Sequence, residues 1–350
     1  MSRSLIDPTT NRIVLHNSHL GSILSCAFQF EQVYIKGVPY HPNVPMVVGR
    51  AGDEVISANM QRKADKVPTM TDEEIQDVST DTFRRVWNET PIWFDNEERE
   101  MGLEKVKEMS EHAVRSSAVA YADRLMPTLD PMPNGVQWKW VIDCKRQYDF
   151  DLAGTADLLT YGQVISQEGE PLSSWVDVRD LKVRKHKPSR LEVEHSRQFT
   201  VYAMGVKINL KQNPRYLWMD AFIKPTKTLD VRIESFKTTR THDDYVVYQK
   251  ILETISKMLQ AGIFPPADAE RPYAPCHRCS IQKQCPYYNG RKTISMSSSE
   301  YNDNPATEGE IHEIRPRAKT KSVSQSAGTI DRSNPEWGSL LPAHKRNANH

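Results

Sequence analysis

Apolar positions along this 350-residue chain change period several times, and each change marks an element. From Ser18 they fall at Leu20, Ile23, Leu24, Ala27 and Phe30, the spacing of a helix face, with Ser18 as N-cap and Cys26 inside the helix. A short extended lead, residues 1–17, precedes it, and Gly49-Arg-Ala-Gly-Asp53-Glu54 begins the next helix. Thr71-Asp-Glu-Glu74 is a capping box followed by Ile75, Val78 and Val86. Leu103, Val106, Ala113, Val114, Ser117, Ala120 and Tyr121 continue the helical period, with His112 as a surface or core histidine. Residues 65–130 therefore read as a helical insertion, closed by Pro127, Pro131 and Pro133.

Beyond these prolines the period shortens to two. Strands are expected over 136–143, then over 147–153 and 156–161 on either side of Gly154, with a polar hairpin loop over 162–174. A buried strand follows over 176–182. Ser189-Arg-Leu-Glu192 is a second capping box, opening one helix through about Lys207. Two further strands, 215–223 and 229–236, lead to a helix capped by Thr241, striped by Val247, Ile251, Ile255, Met258 and Leu259, and ended by Gly262. The pattern is that of an α/β protein with a mixed central sheet flanked by helices.

The strand 176–182 carries chemistry. Val176, Val178, Asp180 and Lys182 share one face, so an acid and an amine emerge side by side beyond two valines. Burying them unpaired is costly, and the usual compensation is a metal, a substrate phosphate or each other. Asp157 ends an earlier apolar run and is a second carboxylate for the same point. Two carboxylates and an amine can bind Mg²⁺ or Mn²⁺ and place a water for attack on phosphorus. Asp177 is the rival acid, but it lies on the opposite strand face and is followed two residues later by Arg179. Glu194, Gln198 and Tyr202 are spaced by four and share a helix face, as a helix across an active site requires; an ordinary amphipathic helix is the plain alternative.

Asp157, Asp180-Leu181-Lys182 and Gln198-Phe-Thr-Val-Tyr202, in that order, resemble the PD-(D/E)XK nuclease superfamily, and within it the RecB-type and CRISPR-adaptation exonucleases with an iron–sulfur cluster, many of them in phages. The resemblance implies a restriction-endonuclease-like fold and a metal-dependent exonuclease acting on single-stranded DNA in recombination or repair, with a helicase or recombination protein as a partner. It implies that Asp157, Asp180 and the Leu181 carbonyl hold Mg²⁺ or Mn²⁺, that Lys182 is catalytic, that Gln198 orients the lysine or the substrate, and that Tyr202 packs beside them. Where the family often has a histidine, this chain has Asp53, a departure that leaves Asp53 as either an oxygen ligand or a bystander. A catalytically degenerate, metal-stapled DNA-binding or scaffold protein is the alternative from another class.

Three of the five cysteines form Cys276-x₂-Cys279-x₅-Cys285. Zinc fits these thiolates with His277 or Cys26 as the fourth ligand. A [4Fe–4S] cluster fits them with Cys26, which by composition alone is a small core thiol. The proline after Cys285 and the remote Cys26 match the iron–sulfur nucleases, so the resemblance implies the cluster, as a mechanical staple between the two ends of a domain spanning 1–289. Cys144 reads as structural.

A net charge of +1 gives no global pull toward a polyanion, so any contact with nucleic acid must be local. Arg184, Lys185, Lys187 and Arg190 follow the Asp-x-Lys strand and are candidates for the phosphate backbone. The absence of a long apolar run or a signal-peptide core points to an intracellular protein. Residues 290–350 are rich in Ser, Asn, Pro and mixed charge and read as a mostly disordered tail with a basic stretch at Arg315–Lys321.

Overall fold

The structure, a computed structural model, describes residues 5–165, 171–184, 186–223, 232–268, 275–282 and 285–287. The tail and the tip of the 162–174 hairpin, including Gly169, lie outside them.

Among the described residues six strands form one mixed sheet: β1 (Ile13–His16), β2 (Pro131–Ile142), β3 (Phe150–Ile165), β4 (Pro171–Arg184), β5 (Leu217–Ile223) and β6 (Arg232–Thr238). Their order is β1-β3-β4-β5-β6, and β2 also pairs with β3. β4 and β5 run in parallel, which demands a crossover, and α7 (Arg190–Glu194) and α8 (Arg197–Leu210) supply it. α8 and α9 (His242–Ala261) cover one sheet face together with α1 (Asn17–Ser25) and α2 (Ala27–Phe30). The other face carries α3 (Val44–Ala64), α4 (Asp72–Glu89) and α6 (Leu103–Arg124), with the short α5 (Asn96–Met101) before α6. Between Asp65 and Asp130 the chain carries α4, α5 and α6, with Thr71 capping α4 as expected, and the layered α/β architecture is the expected one.

Several boundaries differ for identifiable reasons. Gly154 does not separate two strands: β3 runs through it, because Trp140 of β2 lies where a Cβ would stand. The same indole packs on Gly205 of α8, so one buried tryptophan clamps that helix to the sheet through two glycines. The expected helix 18–30 breaks at Cys26, whose backbone is extended (φ −159°, ψ 98°). Its N-cap is His16 rather than Ser18. The expected helix 189–207 is likewise two helices, since Ser196 makes a new N-cap with its side chain accepting from the Phe199 N–H. Asn43 starts α3 earlier than Gly49, which puts Asp53 near the helix middle.

Candidate active site

The pairing of β3 with β4 runs down to Leu158↔Arg179, and Asp157 and Asp180 are the next residues on each strand. Beyond that point β4 stays paired with β5 and β3 with β2, so the two strands can part. Asp157 bridges the gap: its Oδ2 accepts the Leu181 N–H at 2.7 Å, a side chain taking the place of a ladder partner.

Asp180 is 1% exposed and surrounded by donors. The Lys182 ammonium lies 2.6 Å from its Oδ2. From α8, Gln198 Nε2 donates to Asp180 Oδ1 at 2.8 Å and the Tyr202 hydroxyl reaches the same oxygen at 3.3 Å. Gln198 also donates to the Tyr202 hydroxyl at 2.5 Å. Gln198 therefore contacts the acid; the resemblance implies that it orients the lysine or the substrate. Glu194 stays apart, on α7, and pairs with Arg190 at 2.6 Å.

Asp53 reaches the same cavity from α3. Asp53, Asp157, Asp180, Leu181, Arg179 and Asp220 all line a space of about 290 Å³. Gln137 Nε2 donates to both Asp53 oxygens, at 3.0 and 3.1 Å. Gln137 has φ 49°, a left-handed value uncommon outside glycine, at a point where β2–β3 pairing passes from Val136↔Leu158 to Trp138↔Ala156. The strained backbone holds its amide beside Asp53 and Ser57. Gln137 carries no signal along the chain, because nothing local distinguishes a strand glutamine at positive φ from any other.

Electrostatics tie these groups together. Burial, opposed in part by the Ser57 hydroxyl, pushes the Asp53 carboxyl up to about 6. Burial, then the negative charges of Asp180 and Asp53, raise Asp157 well above the usual carboxylate range. Burial alone would lower Lys182, but Asp180 and Asp157 more than reverse it and the amine stays an ammonium. Burial, then Asp180, keep the Tyr202 phenol protonated. Asp53 and Asp157, both raised by burial and by neighbouring negative charge, lie beside Asp180 in a set that a hard divalent cation relieves, so the residues fit Mg²⁺ or Mn²⁺. Each carboxylate is meanwhile occupied by protein donors, and among the described residues no three His, Cys, Asp or Glu side chains are gathered closely enough to hold a single ion.

Asp177, the rival acid, is spent elsewhere: it accepts the Tyr216 N–H at 3.1 Å and the Trp218 indole N–H at 3.0 Å. Arg179 and Asp220 form a buried bidentate pair, 2.9 Å at each contact, behind the site. A pair brought together from residues 41 apart leaves no trace in the sequence pattern.

The basic run is neutralised where it is described. Arg184 pairs with Glu192, Lys187 with Glu234 at 2.5 Å and Arg190 with Glu194; Lys185 lies outside the described residues. Cys26 at the α1–α2 break and Cys276, Cys279 and Cys285 line one cleft of about 470 Å³. The Ala267 N–H donates to Cys26 Sγ at 3.3 Å and Gln29 Nε2 to Cys279 Sγ at 3.5 Å. Burial raises the Cys276 thiol and pushes Cys279 up to about 11, with the other cysteines of the cleft adding to both. Cys144 is buried in the core and pushed up to about 12 by burial. No described helix is long and apolar enough to cross a membrane.

No curated protein matches the chain significantly. A family model does, that of the PD-(D/E)XK nuclease superfamily, over residues 17–286, a stretch that holds every strand but β1 together with both the carboxylate centre and the four clustered cysteines. The acid–acid–lysine constellation with its glutamine and tyrosine is in keeping with that match, and the chain belongs to the PD-(D/E)XK nuclease superfamily.

Proposed function

We propose that this protein is a Mg²⁺- or Mn²⁺-dependent exodeoxyribonuclease acting on single-stranded DNA. Asp157 and Asp180 would hold the cation, with Asp53 as a third oxygen donor in place of the family histidine and the Leu181 carbonyl as a further ligand. The chemistry a hard divalent cation supplies here is Lewis-acid polarisation of the phosphoryl group and neutralisation of its charge. Lys182 supplies a fixed positive charge at the position where charge develops on phosphorus. Gln198 and Tyr202 are positioning residues that hold Asp180 in one orientation through hydrogen bonds to its Oδ1. Barrier reductions toward the top of the enzyme range, on the order of 20 kcal/mol, are needed for phosphodiester cleavage, more than one general base supplies.

The observation that carries this reading is the contact of Lys182 with Asp180 at 2.6 Å beside Asp157, at the point where β3 and β4 cease to pair. Degradation of end-labelled single-stranded DNA in Mg²⁺ or Mn²⁺, absent in an Asp180→Ala control, is the expected result. Release of internal fragments would replace the exonuclease reading with an endonuclease one. DNA binding with no cleavage in any divalent cation would leave a degenerate binding protein.

The second centre is read as a [4Fe–4S] site formed by Cys26, Cys276, Cys279 and Cys285. Four thiols lining one cleft, one from a helix break and three from a distant segment, support this reading. Its role is mechanical, joining the helix break at Cys26 to a segment some 250 residues later, and no redox chemistry is required. Anaerobically purified protein is expected to be brown with four irons per chain; colourless protein containing one zinc overturns the cluster.

A further inference from the structure

Away from the neutralised run of Arg184, Lys187 and Arg190, the sheet carries a second set of cations, and these sit on aromatic rings. The Arg215 guanidinium lies 3.9 Å from the ring centre of Trp175 and 5.3 Å from that of Tyr216. The Lys237 ammonium lies 4.5 Å from Tyr216 and 5.6 Å from Trp218. Arg179 closes the series, 4.7 Å from Trp218. The strand register explains the row: Arg179 is paired with Trp218, and Trp218 with Lys237, across three neighbouring strands. Trp175 sits opposite Gly162, whose missing side chain leaves room for the indole.

Two features set this row apart from an ordinary packed surface. Arg215 and Lys237 are exposed, and neither has a carboxylate within ion-pair distance among the described residues, unlike the described cations of the 184–190 run. The row also ends at the candidate active site, because Arg179 and its partner Asp220 line the cavity with Asp157 and Asp180. Asp177 fixes the rings in place, one oxygen on the Tyr216 N–H and the other on the Trp218 indole.

We propose that Trp175, Arg215, Tyr216, Lys237 and Trp218 form a track for a single nucleic-acid strand that leads it to the carboxylate cavity. Unpaired cations interleaved with partly exposed rings are what a single strand needs: phosphates meet the cations, and unstacked bases lie on rings or on guanidinium planes. A duplex hides its base faces and uses only the cations. The proposal rests on the nuclease reading for its direction toward the cavity, while binding itself is measurable without cleavage.

The test uses the full chain in EDTA and a short fluorescein-labelled oligothymidylate, followed by anisotropy over a salt series. The double variant Arg215→Glu, Lys237→Glu is expected to bind about tenfold or more weakly, with the slope of log affinity against log salt reduced by about 1.4, two phosphate contacts at roughly 0.7 each. Tyr216→Ala is expected to lose about fivefold or more with an almost unchanged salt slope, the mark of lost stacking. Circular dichroism checks that the variants are folded. Wild-type affinity in these variants overturns the track, as does an affinity carried instead by Lys187 and Arg190. Equal losses for the oligonucleotide and its duplex overturn the single-strand assignment. Cleavage in Mn²⁺ separates the two readings: a wild type that cuts, with row variants that bind and cut like it, removes the track alone. A row-dependent affinity in a wild type that never cuts removes the nuclease reading alone.

Discussion

The carboxylate centre and the cysteine centre are built in opposite ways. At the first, side chains from two adjacent strands and one crossover helix hold one another: Lys182, Gln198 and Tyr202 all touch Asp180, and a backbone N–H holds Asp157. At the second, one backbone N–H donates to Cys26 and one glutamine amide to Cys279, and the cysteines come from a broken helix and a distant segment. The first is organised by the fold. The second contributes to the fold only if something binds between the thiols. Substitutions at the two centres should therefore dissociate, one removing chemistry with stability kept and the other removing stability.

The largest effect is expected at Asp180. Asp180→Asn should lower cleavage by at least about 10³-fold, on the order of 4 kcal/mol of transition-state stabilisation, because it removes the charge that both the cation and Lys182 require. Its effect on the melting temperature of metal-free protein should be small, since relief of a crowded buried set offsets the loss of the Lys182 partner, for which Asp157 remains. Retention of more than a tenth of wild-type cleavage would show that Asp180 is not a metal ligand. Cys26→Ser should behave in the reverse manner. Loss of a ligand from a site that joins two chain ends is expected to cost several kcal/mol and a clear drop in melting temperature, because binding free energy at such a site is folding free energy. A Cys26→Ser protein as stable as wild type would mean that the thiols hold nothing.

A smaller effect comes from pH. A carboxyl held at about 6 in the folded protein rather than at its ordinary 3.8 binds its proton more tightly folded than unfolded, so stability falls as pH rises through that window. For Asp53 the loss is at most about 3 kcal/mol between roughly pH 4 and pH 6.5. Denaturant titrations in EDTA of wild type and Asp53→Asn isolate it as a difference, since the wild type should lose more stability through that window than the variant, which keeps the raised Asp157. Mg²⁺ should restore the loss near pH 7. A wild type that gains stability relative to Asp53→Asn as pH rises would contradict the burial argument.

The two centres also differed in how much of them the sequence disclosed. Strand alternation put Asp180 and Lys182 on one face, and four-residue spacing put Gln198 with Tyr202, because both relations are local and survive errors in element boundaries. Glu194 failed the same reasoning, since Ser196 caps a new helix between it and Gln198, and a cap inside an apolar period is easily read through. Gly154 looked like a strand break because glycine usually weakens a strand; its reason is the Trp140 indole, contributed by a neighbouring strand. The basic run invited a nucleic-acid reading that its acid partners Glu192, Glu194 and Glu234 now balance, and Glu234 is far away in sequence. Contacts set by strand order, such as Arg179 with Asp220 or Gln137 with Asp53, left no local periodicity to detect.

Gln137 is the finest test of a self-supporting centre. Its amide donates to both Asp53 oxygens and to Ser57 Oγ, and its backbone is left-handed within a strand whose register with β3 is unbroken on either side of it. If that strain serves to hold Asp53, Gln137→Ala should reduce cleavage by about tenfold, the scale of one misplaced ligand, and should raise the Mn²⁺ concentration needed for half-maximal rate. Gln137→Gly removes the same amide but relieves the strain, so it should match the alanine variant in activity while being more stable by about 1 kcal/mol. Equal stability of the two variants would mean that the backbone is not strained at this position. Wild-type activity in both would leave Asp53 positioned by Ser57 and α3 alone.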